Sequence, residues 1–235
     1  MRIEIIGGMG VGKTTLCSSL ESMGLRCVYE SLEKNPYLDL SYQNPASYGF
    51  YSQISFILGN FYTAKQYEEK GAITFFDYST ITDKAYATLF LQGRARNIAL
   101  EMIDFLEQKE GRADLYLYLT CSPEAQLERI RGRNRDHEKK VDMGFVATLD
   151  SHIRRYVHHA EMEGARILNL DTEAMDLRYD QDFVTHLTMK IRQMFQTPFA
   201  RPWPPESRPV RVSSRPASPV PASAAPQFAE LAEAV

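Results

Sequence analysis

Gly7-Gly8-Met9-Gly10-Val11-Gly12-Lys13-Thr14 fills every fixed position of the pattern G-x-x-x-x-G-K-[ST]. The stretch before it, Arg2-Ile3-Glu4-Ile5-Ile6, is β-branched and apolar in character and reads as a buried strand. The stretch after it, Thr15-Leu16-Cys17-Ser18-Ser19-Leu20, opens a helix. Strand, glycine-rich turn and helix in this order make a phosphate cradle. Glycines let successive N–H groups turn onto phosphate oxygens, and the helix N-terminus adds positive partial charge. Lys13 is placed to reach the β- and γ-phosphates, and the Thr14 hydroxyl to ligate Mg²⁺. Residues 7–15 are therefore the expected binding residues for a nucleoside triphosphate. A glycine-rich turn that merely happens to precede a lysine would not have both flanks correct.

Outward from this loop, strand-like runs recur at residues 2–6, 26–29, 72–76, 114–119 and 166–170, with longer helical stretches between them. That alternation predicts an α/β fold, a five-stranded parallel sheet with helices on both faces. Helices are expected over residues 47–69, 96–109, 139–162 and 173–195. The first of these carries Phe50, Ile54, Ile57, Leu58 and Phe61 at helical spacing. The chain of 235 residues suits one such domain, and 44% hydrophobic and 24% charged residues are ordinary for a soluble globule.

A net charge of −3 supplies no global electrostatic reason to bind nucleic acid or a membrane surface. No apolar run approaches the ~20 residues a membrane span needs. A first strand beginning at residue 2 leaves no room for a signal peptide, so the expected location is cytoplasmic. Three cysteines, Cys17, Cys27 and Cys121, lack C-x-x-C spacing, and two lie in predicted core elements. They read as buried thiols in a reducing compartment. The five histidines, His158-His159 among them, lack metal-ligand spacing and read as a wet helix face.

Composition breaks near Pro198, and nine of the 12 prolines lie from there to the end. Such a segment cannot bury enough apolar surface to offset its conformational entropy. The expected organisation is a domain over 1–197 and a disordered, dispensable Pro/Ser/Ala-rich tail over 198–235. The last residues, 228–235, carry apolar side chains at i, i+3, i+4 and i+7 and read as a slightly apolar end to a solvated tail.

Three further features carry chemistry. The second strand ends in Glu30, and ligands of parallel sheets bind outside the carboxyl ends of the strands. A carboxylate there can accept the proton of an attacking hydroxyl. The third strand runs Ile73-Thr74-Phe75-Phe76-Asp77, placing a second carboxylate, a Mg²⁺ partner, near Thr14. Residues 129–138 carry Arg129, Arg131, Arg133 and Arg135 at alternate positions. One helix face cannot hold all four. The run suits a mobile lid whose guanidinium groups converge on transferring phosphates.

These residues together resemble the deoxynucleoside kinase family, P-loop enzymes that phosphorylate the 5′-hydroxyl of deoxynucleosides with ATP. The resemblance spans roughly residues 1–195. It implies that Glu30 is the general base, followed by the segment Asn35-Pro36-Tyr37-Leu38. It implies Tyr42, before Pro45, as a ligand of the sugar 3′-hydroxyl, and Phe50 with Gln53 as readers of the nucleobase. Its lid pattern falls on Arg133, Arg135 and Glu138, the last a second ligand of the 3′-hydroxyl. It also implies a homodimer, to which the apolar residues of helix 96–109 fit.

The chain departs from the family where an Arg usually follows the third-strand acid. Tyr78 stands there, and Arg129 is the candidate replacement cation. Ala87 replaces a larger ring often found at that position, which would enlarge the base pocket and favour purines. In the resulting reading Lys13 and the loop amides hold ATP, Thr14 and Asp77 hold Mg²⁺, and Glu30 takes the hydroxyl proton. Arg131, Arg133 and Arg135, supported by Arg129, stabilise the moving phosphoryl group. A thymidylate-kinase-like enzyme and a non-catalytic nucleotide-binding module are the alternatives.

Overall fold

β1 (Arg2–Ile6) is buried along its whole length and hydrogen-bonds to parallel partners on both sides, β3 (Thr74–Phe76) and β4 (Leu115–Thr120). In the computed structural model, which describes residues 1–133, 138, 141–175, 177 and 180–202 (Tyr42 without its side chain), β2 (Cys27–Val28) and β5 (Ile167–Asp171) complete the sheet. The strand order is β2-β3-β1-β4-β5, all parallel. The phosphate loop therefore leaves the central strand, where neighbouring connections diverge to either side and open a crevice.

Side chains alternate across β1. Ile3 and Ile5 face α1 (Lys13–Ser22) and α8 (Gln181–Phe195), packing with Leu16, Leu20, Val184, Leu187 and Ile191. Ile6 faces the opposite layer, α4 (Thr80–Phe90) and α7 (Met143–Met162), with Ile81, Ala85, Leu149 and Ile153. Glu4 is buried on that second face. Its carboxylate meets Arg2 Nε at 3.1 Å and accepts from the Thr80 N–H at 3.0 Å, which satisfies the first turn of α4. Burial raises the Glu4 carboxyl despite these partners. A buried ion pair is tolerated when its remaining valences are met in this way.

α2 (Leu38–Gln43), α3 (Pro45–Tyr67) and α5 (Gly93–Glu110) build the third layer with α4. α3 starts where Asn44 accepts from the Ser47 N–H and Pro45 occupies the first turn. Ala87 of α4 is fully buried among Ile57, Phe61, Leu91, Ala99 and Ile103, at the junction of α3, α4 and α5.

Four expectations change. Residues 129–133 belong to a helix, α6 (Pro123–Arg133), not to an irregular lid; Arg135 lies outside the described residues. The helix expected over 139–162 begins at Met143, where Asp142 accepts from the Phe145 N–H. The last helix begins at Gln181, capped by Asp180, rather than at residue 173. Finally, the domain does not end at 197. The Ile73 N–H donates to the Pro198 carbonyl and the Ala200 N–H to the Ile73 carbonyl, both at 2.8 Å. Phe199 stacks on Phe75 at 5.7 Å and Ala200 is buried. An unpaired stretch of sheet edge offers a row of donors and acceptors that residues 198–201 cover. Residues 203–235, including the apolar end at 228–235, lie outside the described residues.

Candidate active site

The phosphate loop owes its shape to close packing against α6. Gly10 has φ +80°, and a Cβ there would meet the Gln126 carbonyl oxygen at 2.6 Å. Only glycine fits both demands. Lys13 Nζ donates to the carbonyls of Gly7 and Gly8, each at 2.8 Å, and so curls over the loop. Burial lowers the Lys13 ammonium, Asp77 and Glu30 oppose that, and Arg133 adds to it. Met9 through Thr15 line a cleft of about 1000 Å³, whereas Gly7 and Gly8 contribute their carbonyls to Lys13 from behind.

Thr14 Oγ1 donates to Asp77 Oδ2 at 2.6 Å, so the loop hydroxyl and the third-strand carboxylate meet at one point. These are hard oxygen donors, the kind Mg²⁺ takes in ones and twos beside phosphate. Among the described residues no cluster of three or more His, Cys, Asp or Glu could form an all-protein cage. The donor set fits a phosphate-bound Mg²⁺.

Glu30 opens the other half of the cleft. Burial pushes its carboxyl up to about 7; Lys13 pulls against that, the Asp77 carboxylate adds to it, and the Asn60 amide opposes it. Asn60 Nδ2 lies 3.5 Å from Glu30 Oε1 and 3.2 Å from each oxygen of Asp83. Asp83 lines the cleft and is raised well above the usual carboxylate range, first by burial and then by Glu30.

The arginines separate as a helix demands. Arg129 and Arg133, four apart, both line the cleft, while Arg131 is exposed and does not line it. Arg129 donates to the Thr172 carbonyl at 2.7 Å and to the Gly10 carbonyl at 3.5 Å, tying α6 to the phosphate loop. Arg133 Nε lies 3.5 Å from the buried Glu138, which also lines the cleft.

Towards α2 and α7 the walls become apolar. Gln53 faces the cleft, but Phe50 packs into the α3–α4–α5 junction. Ala87 sits in that same junction and does not floor the cleft. Tyr78 is buried against Phe76 and donates to the Asn60 carbonyl at 3.1 Å, away from the cleft lining. Tyr42 falls in α2 with its side chain outside the described residues.

The aromatic wall consists of Phe56, Tyr86, Phe90 and Phe145. Tyr86 and Phe90 stack with centroids 6.0 Å apart, and Phe90 meets Phe145 at 6.0 Å. The site residues of α3 and α4 share one signal. Gln53, Phe56 and Asn60 follow i, i+3, i+7 spacing on α3, and Asp83, Tyr86 and Phe90 repeat it on α4. The N-cap Ser79, which accepts from the Thr82 N–H, marks the start of α4.

Comparison with known proteins agrees with this geometry. The sequence profile described as "Deoxynucleoside kinase" matches residues 3–196. A deoxyadenosine kinase of Dictyostelium discoideum is 33% identical over 155 residues, 63% of this chain and 62% of that enzyme's length. A deoxyguanosine kinase of Bacillus subtilis (strain 168) is 24% identical over 200 residues, 82% of this chain and 96% of that enzyme. Among solved structures, a deoxyadenosine kinase from M. mycoides with bound dATP superposes with a TM-score of 0.67 at 19% identity, covering 82% of this chain and 100% of that one. The chain belongs to the deoxynucleoside kinase family, as a phosphotransferase of the P-loop fold.

Proposed function

We propose that this kinase transfers the γ-phosphoryl group of ATP to the 5′-hydroxyl of a deoxynucleoside, with purine deoxynucleosides preferred. The observation that carries this reading is Glu30, a half-buried carboxyl held near 7 in the same cleft as the phosphate loop and the aromatic wall. A base with that value is half ionised at neutral pH, where proton abstraction is most efficient. The deoxynucleoside base would lie along Tyr86, Phe90 and Phe145, with the Gln53 amide offering a donor and an acceptor to its edge. Its 5′-hydroxyl would point to Glu30, which takes the proton as the oxygen attacks phosphorus.

Lys13 would leave the Gly7 and Gly8 carbonyls for the phosphates, and Arg133 would neutralise charge on the moving group. Arg129 holds α6 against the loop while doing so. Thr14 and Asp77 would hold Mg²⁺, which supplies charge neutralisation between the phosphates. The purine preference is supported by the relatives named for deoxyadenosine and deoxyguanosine; a buried Ala87 gives it no support.

The same reading includes a homodimer and a cytoplasmic setting. Tyr51, Leu58 and Tyr62 of α3 and Ile98 and Phe105 of α5 are exposed large apolar residues on the outer layer, a surface that a second copy would cover. Cys17 and Cys27 are buried free thiols, in keeping with a reducing compartment, and no helix among the described residues is long and apolar enough to cross a membrane. The deciding experiment is transfer of labelled phosphate from ATP to the four deoxynucleosides and their monophosphates. Deoxyadenosine and deoxyguanosine should be the best acceptors. Turnover of monophosphates alone would replace this reading with a nucleotide kinase.

A further inference from the structure

We infer that Gln126 of α6 and Asp150 of α7 clamp the phosphate loop at Gly8 and are positioning residues for ATP binding. This rests on the loop as the ATP site and on nothing at the acceptor end of the cleft. Neither residue lines the cleft, so neither is placed to touch a substrate. Gly8 lies outside the left-handed region, so its backbone does not demand glycine. Its missing side chain has another cause. A Cβ there would stand 2.8 Å from Asp150 Oδ1 and 2.9 Å from Gln126 Oε1. Two side-chain oxygens, one from each helix, therefore press on the α-carbon of a loop residue.

These oxygens are not free to swing away. Gln126 Nε2 donates to the Cys121 carbonyl at 3.2 Å and to Asp150 Oδ2 at 2.5 Å, which uses both of its hydrogens. Turning the amide over would set Oε1 against the Cys121 peptide carbonyl, which can only accept, whatever the protonation state of Asp150. Oε1 is thereby left on the Gly8 side, without a hydrogen-bond partner, in a residue only 1% exposed. An unmet buried acceptor is costly, and this one is kept where it bears on the loop.

The clamp bears on the element that handles phosphate. The Gly8 carbonyl, one bond from that α-carbon, is one of the two that hold Lys13 Nζ. The Gln126 main chain closes the space a Cβ would take at Gly10, and the Thr172 hydroxyl donates to the Val11 carbonyl at 2.9 Å. The loop is thus braced from behind at residues 8, 10 and 11, and Gln126 serves the first two. A glycine-rich chain sets few conformational limits of its own, so the shape in which its amides face phosphate oxygens depends on such bracing. Burial raises the Asp150 carboxyl, while the Gln126 amide, Arg154 and Lys13 oppose that. Ionised or not, Asp150 offers an oxygen that accepts from Gln126. Losing the clamp should weaken ground-state and transition-state binding of ATP alike, which raises its KM and leaves kcat in place.

The test is calorimetric titration of the full chain with Mg-ATP in the absence of acceptor, followed by steady-state kinetics with deoxyadenosine. D150A should raise both Kd and KM for Mg-ATP fivefold or more, with kcat and the deoxyadenosine KM within twofold of the unaltered enzyme. D150N keeps an acceptor for the Gln126 amide and should bind Mg-ATP within twofold of the unaltered chain. G8A should raise the Kd as D150A does, because its methyl enters the clamp. The double variant G8A/D150A should bind more tightly than the product of the two single effects, since removing the carboxylate makes room for the methyl. A Kd for D150A or G8A within twofold of the unaltered value overturns the inference, even where the melting temperature falls, because that loss would be purely structural. So do multiplicative effects of G8A and D150A, and so does a D150N as impaired as D150A, which would make charge the cause. If D150A does not fold, G8A beside G8A/Q126A decides, and the absence of relief overturns the proposal. An unaltered chain that fails to bind Mg-ATP removes the loop as the ATP site, whereas equal binding by the unaltered chain and D150A removes only the clamp.

Discussion

Glu30 shows how one half-buried carboxyl acquires a working range. Desolvation raises it from 4.5 to about 7, and Lys13 and the Asn60 amide keep it from rising further. The base must be ionised to accept a proton, so kcat/KM should climb as pH rises through about 7 and flatten above it. Glu30→Gln should abolish that limb and lower turnover by about 10²–10⁴, while Mg-ATP still raises the melting temperature. A pH–rate profile and a nucleotide-dependent melt on the same samples check both halves. Lys13→Ala separates the other function of the cleft. Losing the ammonium that now caps the Gly7 and Gly8 carbonyls should remove the melting shift caused by Mg-ATP. A full shift in that variant would show that the loop amides alone bind the phosphates.

At the scale of elements, helix faces decide which residues serve chemistry and which serve packing. α4 sends Asp83, Tyr86 and Phe90 to the cleft and Ala85 and Ala87 into packed layers. Ala87→Phe should therefore destabilise the protein by overpacking the α3–α4–α5 junction, by about 1–3 kcal/mol, or several degrees in melting temperature. The ratio of purine to pyrimidine activity should stay constant, and a changed ratio would return Ala87 to the pocket. The outer faces of α3 and α5 carry Tyr62 at 67% and Phe105 at 60% exposure. Phe105→Asp should convert a dimer to a particle of 26.8 kDa in light scattering without loss of helix content. An unaltered protein that already scatters as a monomer would remove the dimer.

For the whole molecule, the sheet edge beside Ile73 ties the end of the described chain to its start. A chain stopped at residue 197 loses the Ile73–Pro198, Ala200–Ile73 and Arg26–Ala200 backbone bonds together with the Phe199 ring on Phe75. At about 1 kcal/mol per hydrogen bond, its melting temperature should fall by several degrees. A chain stopped at Pro202 keeps these contacts and should melt with the full-length protein. Equal melting of both truncations would show that residues 198–201 add nothing to stability. The packing role of residues 198–201 was invisible in composition, because Pro198 already belongs to the proline-rich run while Phe199 and Ala200 fill a gap against β3.

The phosphate loop was legible because its determinants are contiguous: one strand, one turn and one helix carry every needed atom. Glu30 and Asp77 were legible because parallel strands present their carboxyl ends on one edge, so the residue that ends each strand is placed by chain direction alone. The five parallel strands and both helix layers come from the same alternation. Tertiary structure decided what sequence spacing leaves open, namely the direction in which each helix turns its faces. Arg131 points out because α6 continues through it and commits Arg129 and Arg133 to the cleft. Phe50 and Ala87 turn inward because α5 covers them. Asn60 and Asp83 lie 23 residues apart on separate helices, and only the packing of α3 on α4 brings one amide between two carboxyls.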